Sequence, residues 1–215
     1  MDKSFAYIDE FVEKLSQEKD LPLVTNQYSY EIIDNQIRRE NLKSYLRSIY
    51  QNNSNTILVG EAAGYNGCLL SGIPFTSERL IRQTIPNLAI FRNPYTLKSN
   101  GEQYELSATI VWNAFQEFDF YPLLWNTFPF HPYKSGIEIS NRKPTMDEVE
   151  RGQIYIKELV AMLKIKRIVA VGKVAERVLV GLYGQNNVLT LRHPANGGAN
   201  LFRSGLENLA RTKVS

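Results

Sequence analysis

The 215-residue sequence holds one cysteine, Cys68, and two histidines, His131 and His193. A single cysteine excludes a disulfide framework and any metal or iron–sulfur site built on several cysteines. No apolar run approaches the roughly 18 residues of a membrane helix. The first fifteen residues, MDKSFAYIDEFVEKL, are charged and amphipathic rather than a secretory signal. Neither sign of charge dominates: 25 basic and 22 acidic residues leave +3. That balance suits a nucleic-acid partner without demanding one, because local patches outweigh the sum. There is no GxGxxG and no Walker loop, so the common phosphate signatures are missing. Internal repeats and low-complexity tracts are absent too. With 43% hydrophobic residues the chain can still bury a full core. The expectation is a soluble, cytoplasmic, single domain over residues 1–215, with residues 1–50 a helical segment packed on it.

What is present centres on residues 56–75, TILVGEAAGYNGCLLSGIPF. The run Thr56, Ile57, Leu58, Val59 followed by glycines reads as a buried parallel strand entering a small-residue loop. Such loops, at the carboxyl edge of an open α/β sheet, let backbone N–H groups approach a ligand. An ordinary strand-to-loop turn would look the same. Before it, Phe5, Ile8, Phe11, Val12 and Leu15 repeat at helical spacing. Residues 21–33 read as a connection, and Asn35 as the cap of a second helix carrying Ile37, Leu42, Tyr45, Leu46 and Ile49.

After it, residues 77–82 suggest a short helix stopped before Pro86, and residues 87–106 a surface excursion with turn signals. Ser107 reads as the cap of a helix through Phe118, with Ile110, Val111, Ala114 and Phe115 facing inward. Residues 121–128 form a second strand candidate. Residues 133–144 read as a polar, basic loop. Thr145 with Glu148 forms a capping box for a helix reaching Leu163. Strands over 167–171 and 188–191, with helices over 174–182 and 200–211, complete the pattern.

Strands and helices alternate from residue 56 onward, which implies an α/β fold: a three-layer α/β/α sandwich around a central four-stranded parallel sheet. Parallel strands share one carboxyl edge. Three chemically distinctive sites then converge there: Glu61 with its glycine loop, Asn126 among aromatic residues, and His193 before Pro194.

With those residues in place the chain resembles the uracil-DNA glycosylase superfamily over roughly residues 56–206. Gly60-Glu61-Ala62-Ala63-Gly64 is similar to the GEAPG motif of the thermostable (family 4) branch, with Ala63 for proline. The spacing to Gly72-Ile73-Pro74-Phe75 is similar to that branch and to the single-strand-selective one. Leu124-Trp125-Asn126-Thr127-Phe128-Pro129 resembles the segment around the uracil-reading asparagine. Lys166 to Gly172, then Ala175-Glu176, is similar to the family's third strand and helix. Arg192-His193-Pro194-Ala195 resembles the HPS motif with alanine for serine.

The resemblance implies excision of uracil, or a related deaminated or 5-substituted base, by hydrolysis of its N-glycosidic bond in base-excision repair. The base is rotated out of the stack. It implies Phe75 as stacking platform and Asn126 as reader of the Watson–Crick edge, with one acceptor for N3–H and one donor for O4. His193 is implied as a donor to the charge that develops on the departing base. Each also has a bland alternative: a core phenylalanine, an asparagine bonding its own turn, a loop histidine. Gly60, Ala62 and Gly64 are expected to line the base. The usual water-orienting Asp or Asn falls at Ala62, so Glu61 is the nearest carboxylate for that role, or else a turn residue. The tyrosine that excludes a thymine methyl elsewhere in the family falls at Gly64, implying a roomier pocket. The bulky or basic wedge after His193 is missing from Ala195-Asn196-Gly197-Gly198, leaving Asn200, Phe202 or Arg203 as substitutes.

DNA is the expected partner, contacted through Arg192, Asn200 and Arg203, with Lys134, Arg142 and Lys143 as further basic loop residues; solvated surface positions are the alternative for any one of them. His131 has no place in the pattern and reads as a surface or loop histidine. A monofunctional, monomeric, nucleoid-associated enzyme with no cofactor, no metal and no membrane partner is the expectation. A non-catalytic nucleic-acid or nucleobase binding protein on the same fold is the alternative. An unrelated nucleotide-binding α/β protein is a third reading, against which the missing phosphate motifs count.

Overall fold

The computed structural model describes residues 3–19, 21–82 and 105–212. In chain order its elements are α1 (Lys3–Gln17), β1 (Val24–Thr25), α2 (Asn35–Gln51), β2 (Thr56–Ala62), α3 (Cys68–Ser71), α4 (Glu78–Arg82), α5 (Leu106–Phe118), β3 (Leu123–Phe128), β4 (His131–Pro132), α6 (Met146–Met162), β5 (Arg167–Val171), α7 (Lys173–Tyr183), β6 (Val188–Leu191) and α8 (Ala199–Arg211). The excursion expected over residues 87–106 lies outside the described residues as far as position 104. None of the described helices is long and apolar enough to cross a membrane.

The chain forms two compact units, each assembled from three stretches. The first takes residues 1–52, 63–105 and 130–143, and the second residues 53–62, 106–129 and 144–215.

In the first unit α1 and α2 pack together. Ile8, Phe11, Val12 and Leu15 are buried, as are Leu42, Tyr45, Leu46 and Ile49. Each such side chain contributes roughly 1.5–3 kcal/mol of transfer free energy. Asn35 does not cap α2. Asp34 stands at the cap position but its side chain makes no capping hydrogen bond to the helix, and Asn35 is the first helical residue. Its buried amide instead donates to the carbonyls of Ser29 (3.0 Å) and Asn26 (3.3 Å), so it ties the preceding connection down. That connection also holds β1, which pairs antiparallel with β4.

The second unit carries the expected parallel sheet, in the order β3-β2-β5-β6, flanked by helices α5 to α8. Residues 56–59 are fully buried, as a strand covered on both faces should be. Thr145 caps α6: its hydroxyl accepts the Glu148 N–H, and the Glu148 carboxylate accepts the Thr145 N–H at 2.8 Å. Ser107 is not a cap, because α5 starts one residue earlier at Leu106. Gly152 lets α6 settle directly on β3, since a Cβ there would lie 1.8 Å from the Thr127 carbonyl oxygen. No sequence signal marks that glycine as a packing site.

Candidate active site

Two neighbouring strands of the second unit set the first half of the site. Gly60 and Asn126 are register partners on β2 and β3, and the ladder continues to Ala62 opposite Phe128. The Thr127 hydroxyl donates to the Glu61 carbonyl at 2.6 Å, locking the two strand ends together. Asn126 is 2% exposed, and its amide nitrogen has no hydrogen-bond partner among the described residues. A buried amide group without a partner costs about 1–3 kcal/mol, so its retention needs a reason. Glu61 and Ala62 are half-buried at the same strand end.

His193 follows β6, two residues beyond Leu191, which pairs with Val171 of β5. The glycine after β5, Gly172, accepts a left-handed φ of +89°, and a Cβ there would meet the His193 Cβ at 3.3 Å. The imidazole Nδ1 accepts the Ala195 N–H at 3.1 Å. An accepting Nδ1 places the ring proton on Nε2. Burial pushes the His193 pKa below its ordinary value, and the Arg192 charge adds to that shift. The side chain is therefore a neutral imidazole at pH 7, with Nε2–H as its donor. Gly198 closes the turn; a Cβ there would sit 2.0 Å from the His193 carbonyl oxygen.

Around this turn Arg192 and Asn200 are exposed. Phe202 is fully buried in the core and so cannot be a wedge. Arg203 lies on α8 rather than in a loop. It forms a two-pronged ion pair with Glu117, one bond at 2.7 Å, and rests over the Phe118 ring. Its fork is thus already matched to a carboxylate.

Gly64 and Phe75 belong to the first unit. Phe75 is buried with φ +51°, a conformation a bulky residue adopts only under constraint. The constraint is visible in the preceding turn. The Ser71 hydroxyl accepts the Ile73 N–H (3.0 Å) and donates to the Thr76 carbonyl (2.6 Å). Asn41 donates to the Ser71 carbonyl and Tyr28 to the Gly72 carbonyl, both at 2.9 Å. Gly72 itself presses on the Arg38 backbone so closely that a Cβ would lie 2.5 Å away.

Sequence reasoning missed Glu105. Its carboxylate packs on the glycine loop after β2, 3.6 Å from where a Gly64 Cβ would stand and 1.9 Å from a Gly67 Cβ. The space beside Gly64 is therefore bounded by a carboxyl group. Burial raises the Glu105 pKa to about 7. The unfolded chain releases this proton near pH 4.5 while the folded one keeps it to about 7. Stability thus falls as pH rises through that window and stays lower above it. Glu105→Gln should remove the effect, gaining on the order of 2 kcal/mol over wild type at pH 8 relative to pH 5. Melting curves at the two pH values check this; parallel shifts of both proteins would refute it.

His131 is not a surface histidine. It is fully buried in β4, with Nδ1 bonded to the Ala63 carbonyl (2.8 Å) and Nε2 to the Glu138 carbonyl (3.1 Å). Cys68 is buried as well, its thiol pushed up to about 12 by burial, and is unreactive at neutral pH. Lys134, Arg142 and Lys143 all lie in the first unit.

The model of the Uracil DNA glycosylase superfamily matches residues 48–211. Among solved structures, that of wild-type Pedobacter heparinus SMUG2 is similar, with a TM-score of 0.65 and 16% sequence identity. The match covers 97% of this chain and 99% of that one. At this identity the likeness is one of fold. No curated protein matches the sequence.

Proposed function

The chain belongs to the Uracil DNA glycosylase superfamily, and from that premise we propose that it is a monofunctional DNA glycosylase that hydrolyses the N-glycosidic bond of uracil in DNA. The observation that carries the reading is the buried, unpartnered amide of Asn126 at the carboxyl edge of the sheet. A pyrimidine base with an acceptor at O4 satisfies the orphaned donor, and the amide oxygen accepts N3–H. Asn126 and His193 lie at the ends of outer strands β3 and β6, three inter-strand spacings apart. That is roughly 14 Å of sheet, the width of a pyrimidine with a hydrogen-bonding side chain on either side.

In the proposed reaction the C1′–N1 bond breaks, its electron pair leaves with the base, and water adds to C1′. Negative charge gathers on the base oxygens, and the His193 Nε2–H donates to it. A neutral donor suits this role, because it strengthens as charge develops rather than binding the ground state equally well. Glu61, at the same edge, takes the water proton. Phe75 stacks on the extruded base, and its constrained backbone means that no ordering cost falls on binding. Gly60, Ala62 and Gly64 line the base. Arg192 and Asn200 contact the backbone; Arg203 would first have to exchange Glu117 for a phosphate. Water is the only co-reactant. Both units are read as parts of one glycosylase domain, acting as a monomer inside the cell.

Single-turnover cleavage of oligonucleotides carrying uracil, 5-substituted uracils, thymine or cytosine tests the proposal. Uracil should be excised and cytosine left intact. Binding of the uracil strand with no excision of any base would replace the enzyme by a nucleobase-binding protein.

A further inference from the structure

The loop over residues 133–143 of the first unit takes no part in this chemistry, yet it is held along its length. The Tyr133 N–H donates to the Leu23 carbonyl at 3.0 Å. Lys134 and Ile137 pair across a turn whose third residue, Gly136, has φ +74°. The Ser140 hydroxyl accepts the Lys134 N–H (3.0 Å) and donates to the Ile137 carbonyl (2.6 Å). Arg142 donates to the carbonyls of Tyr133, Lys143 and Leu23 at 3.0–3.1 Å, which fastens the end of the loop to its start and to the connection before α2. Buried His131 bonds the Glu138 carbonyl, and the Asn141 side chain accepts the N–H of Tyr65, the residue after Gly64. The loop is thus tied to the glycine loop proposed to line the base.

A loop so fixed could turn its apolar side chains inward. This one leaves Ile137 52% and Ile139 76% exposed. Between residues 133 and 143 stand three cations, Lys134, Arg142 and Lys143, against one carboxylate, Glu138. Single exposed apolar residues are ordinary. Two on one preorganised tip, flanked by cations and joined to the base-lining loop, fit a surface that is both apolar and anionic. An unstacked base step between phosphates has that chemistry.

We propose that the 133–143 loop is a DNA-contacting element that sets Ile137 and Ile139 against unstacked bases beside the extruded nucleotide, with Lys134 and Lys143 on flanking phosphates. The inference takes its partner from the glycosylase reading. Because the loop is already ordered, insertion would cost little conformational entropy. The gain should appear where a duplex must be opened and vanish where the strand is already single.

The test compares wild type with the double variant Ile137→Ser/Ile139→Ser. Both positions are exposed, so equal melting temperatures should verify folding. Single-turnover uracil excision is measured on single-stranded and duplex oligonucleotides. Equilibrium binding is measured to a duplex carrying an abasic analogue beside 2-aminopurine. The expected result is a duplex excision rate lower by about tenfold, an almost unchanged single-strand rate, and loss of the 2-aminopurine signal that reports unstacking. Equal rates on both substrates with an unchanged signal would overturn the proposal while leaving the glycosylase reading intact. An equal fall on both substrates would also overturn it, by showing that the loop acts on the chemistry rather than on the duplex. If wild type excises nothing yet gives an unstacking signal that the variant lacks, the loop assignment stands and the glycosylase reading fails; a wild type with neither excision nor signal sinks both.

Discussion

Replacing His193 by alanine should lower single-turnover excision of uracil by roughly 100-fold or more and leave DNA affinity almost unchanged. The asymmetry follows from when the donor acts. In the proposed reaction its hydrogen bond would be weak to the neutral ground-state base and strong to the departing anion, so its loss should fall on the chemical step. Affinity for DNA should rest mainly on phosphate contacts, which the substitution would leave in place. The local geometry adds a pH signature. Nδ1 accepts the Ala195 N–H, and burial disfavours the imidazolium. The neutral form should therefore persist below the ordinary histidine range, and the excision rate should stay flat as pH falls through about 6.5. Single-turnover rates from acid to neutral pH, beside equilibrium binding of the same oligonucleotide, give both readouts. Wild-type cleavage by His193→Ala would mean that the sheet edge does not hold the reacting centre. An acid limb near 6.5 that disappears in His193→Ala would mean that the imidazole is not held neutral as inferred.

Asn126→Asp should change which base is accepted. An ionised carboxylate offers only acceptors, so it loses the donor to uracil O4 and gains an acceptor for the cytosine N4 amino group. A mismatched polar group in a buried site costs about 1–3 kcal/mol, which is roughly tenfold to a hundredfold in uracil excision. The ratio of cytosine to uracil excision should rise by at least as much. Since position 126 is almost fully buried, the new carboxyl will resist ionisation. The ratio should therefore increase with pH. Parallel single-turnover assays on matched uracil and cytosine oligonucleotides decide the matter. An unaltered ratio at every pH would remove Asn126 as the reader, and with it the observation on which the proposed function chiefly rests.

Much of the framework was legible in the sequence because its signals are local. An apolar run flanked by glycines marks β2, and the four sheet strands fall where alternation with helical periodicity puts them. The Thr145–Glu148 capping box is a contact between residues three apart, so its spacing alone implies it. Parallel connections bring strand ends to one edge, and that rule sufficed to group Glu61, Asn126 and His193. The errors were of another kind. Asn35 and Ser107 have the chemistry of caps, but tertiary partners decide whether they serve. Asn35 found better acceptors in the connection before it, at Asn26 and Ser29. Phe202 has the shape of a wedge, and only packing shows that the core takes it.

What the sequence by itself determined was the order of elements, the parallel sheet and the residue types gathered at its carboxyl edge, since period, capping and chain direction are properties of neighbouring residues. Tertiary structure alone decided which side chains are left without partners and which are constrained. The orphaned amide of Asn126, the left-handed backbone of Phe75, the accepting Nδ1 of His193 and the carboxyl of Glu105 against Gly67 depend on burial and on contacts between distant segments. The cost of desolvating a polar group is set by everything packed around it, and no local pattern of residues encodes that sum.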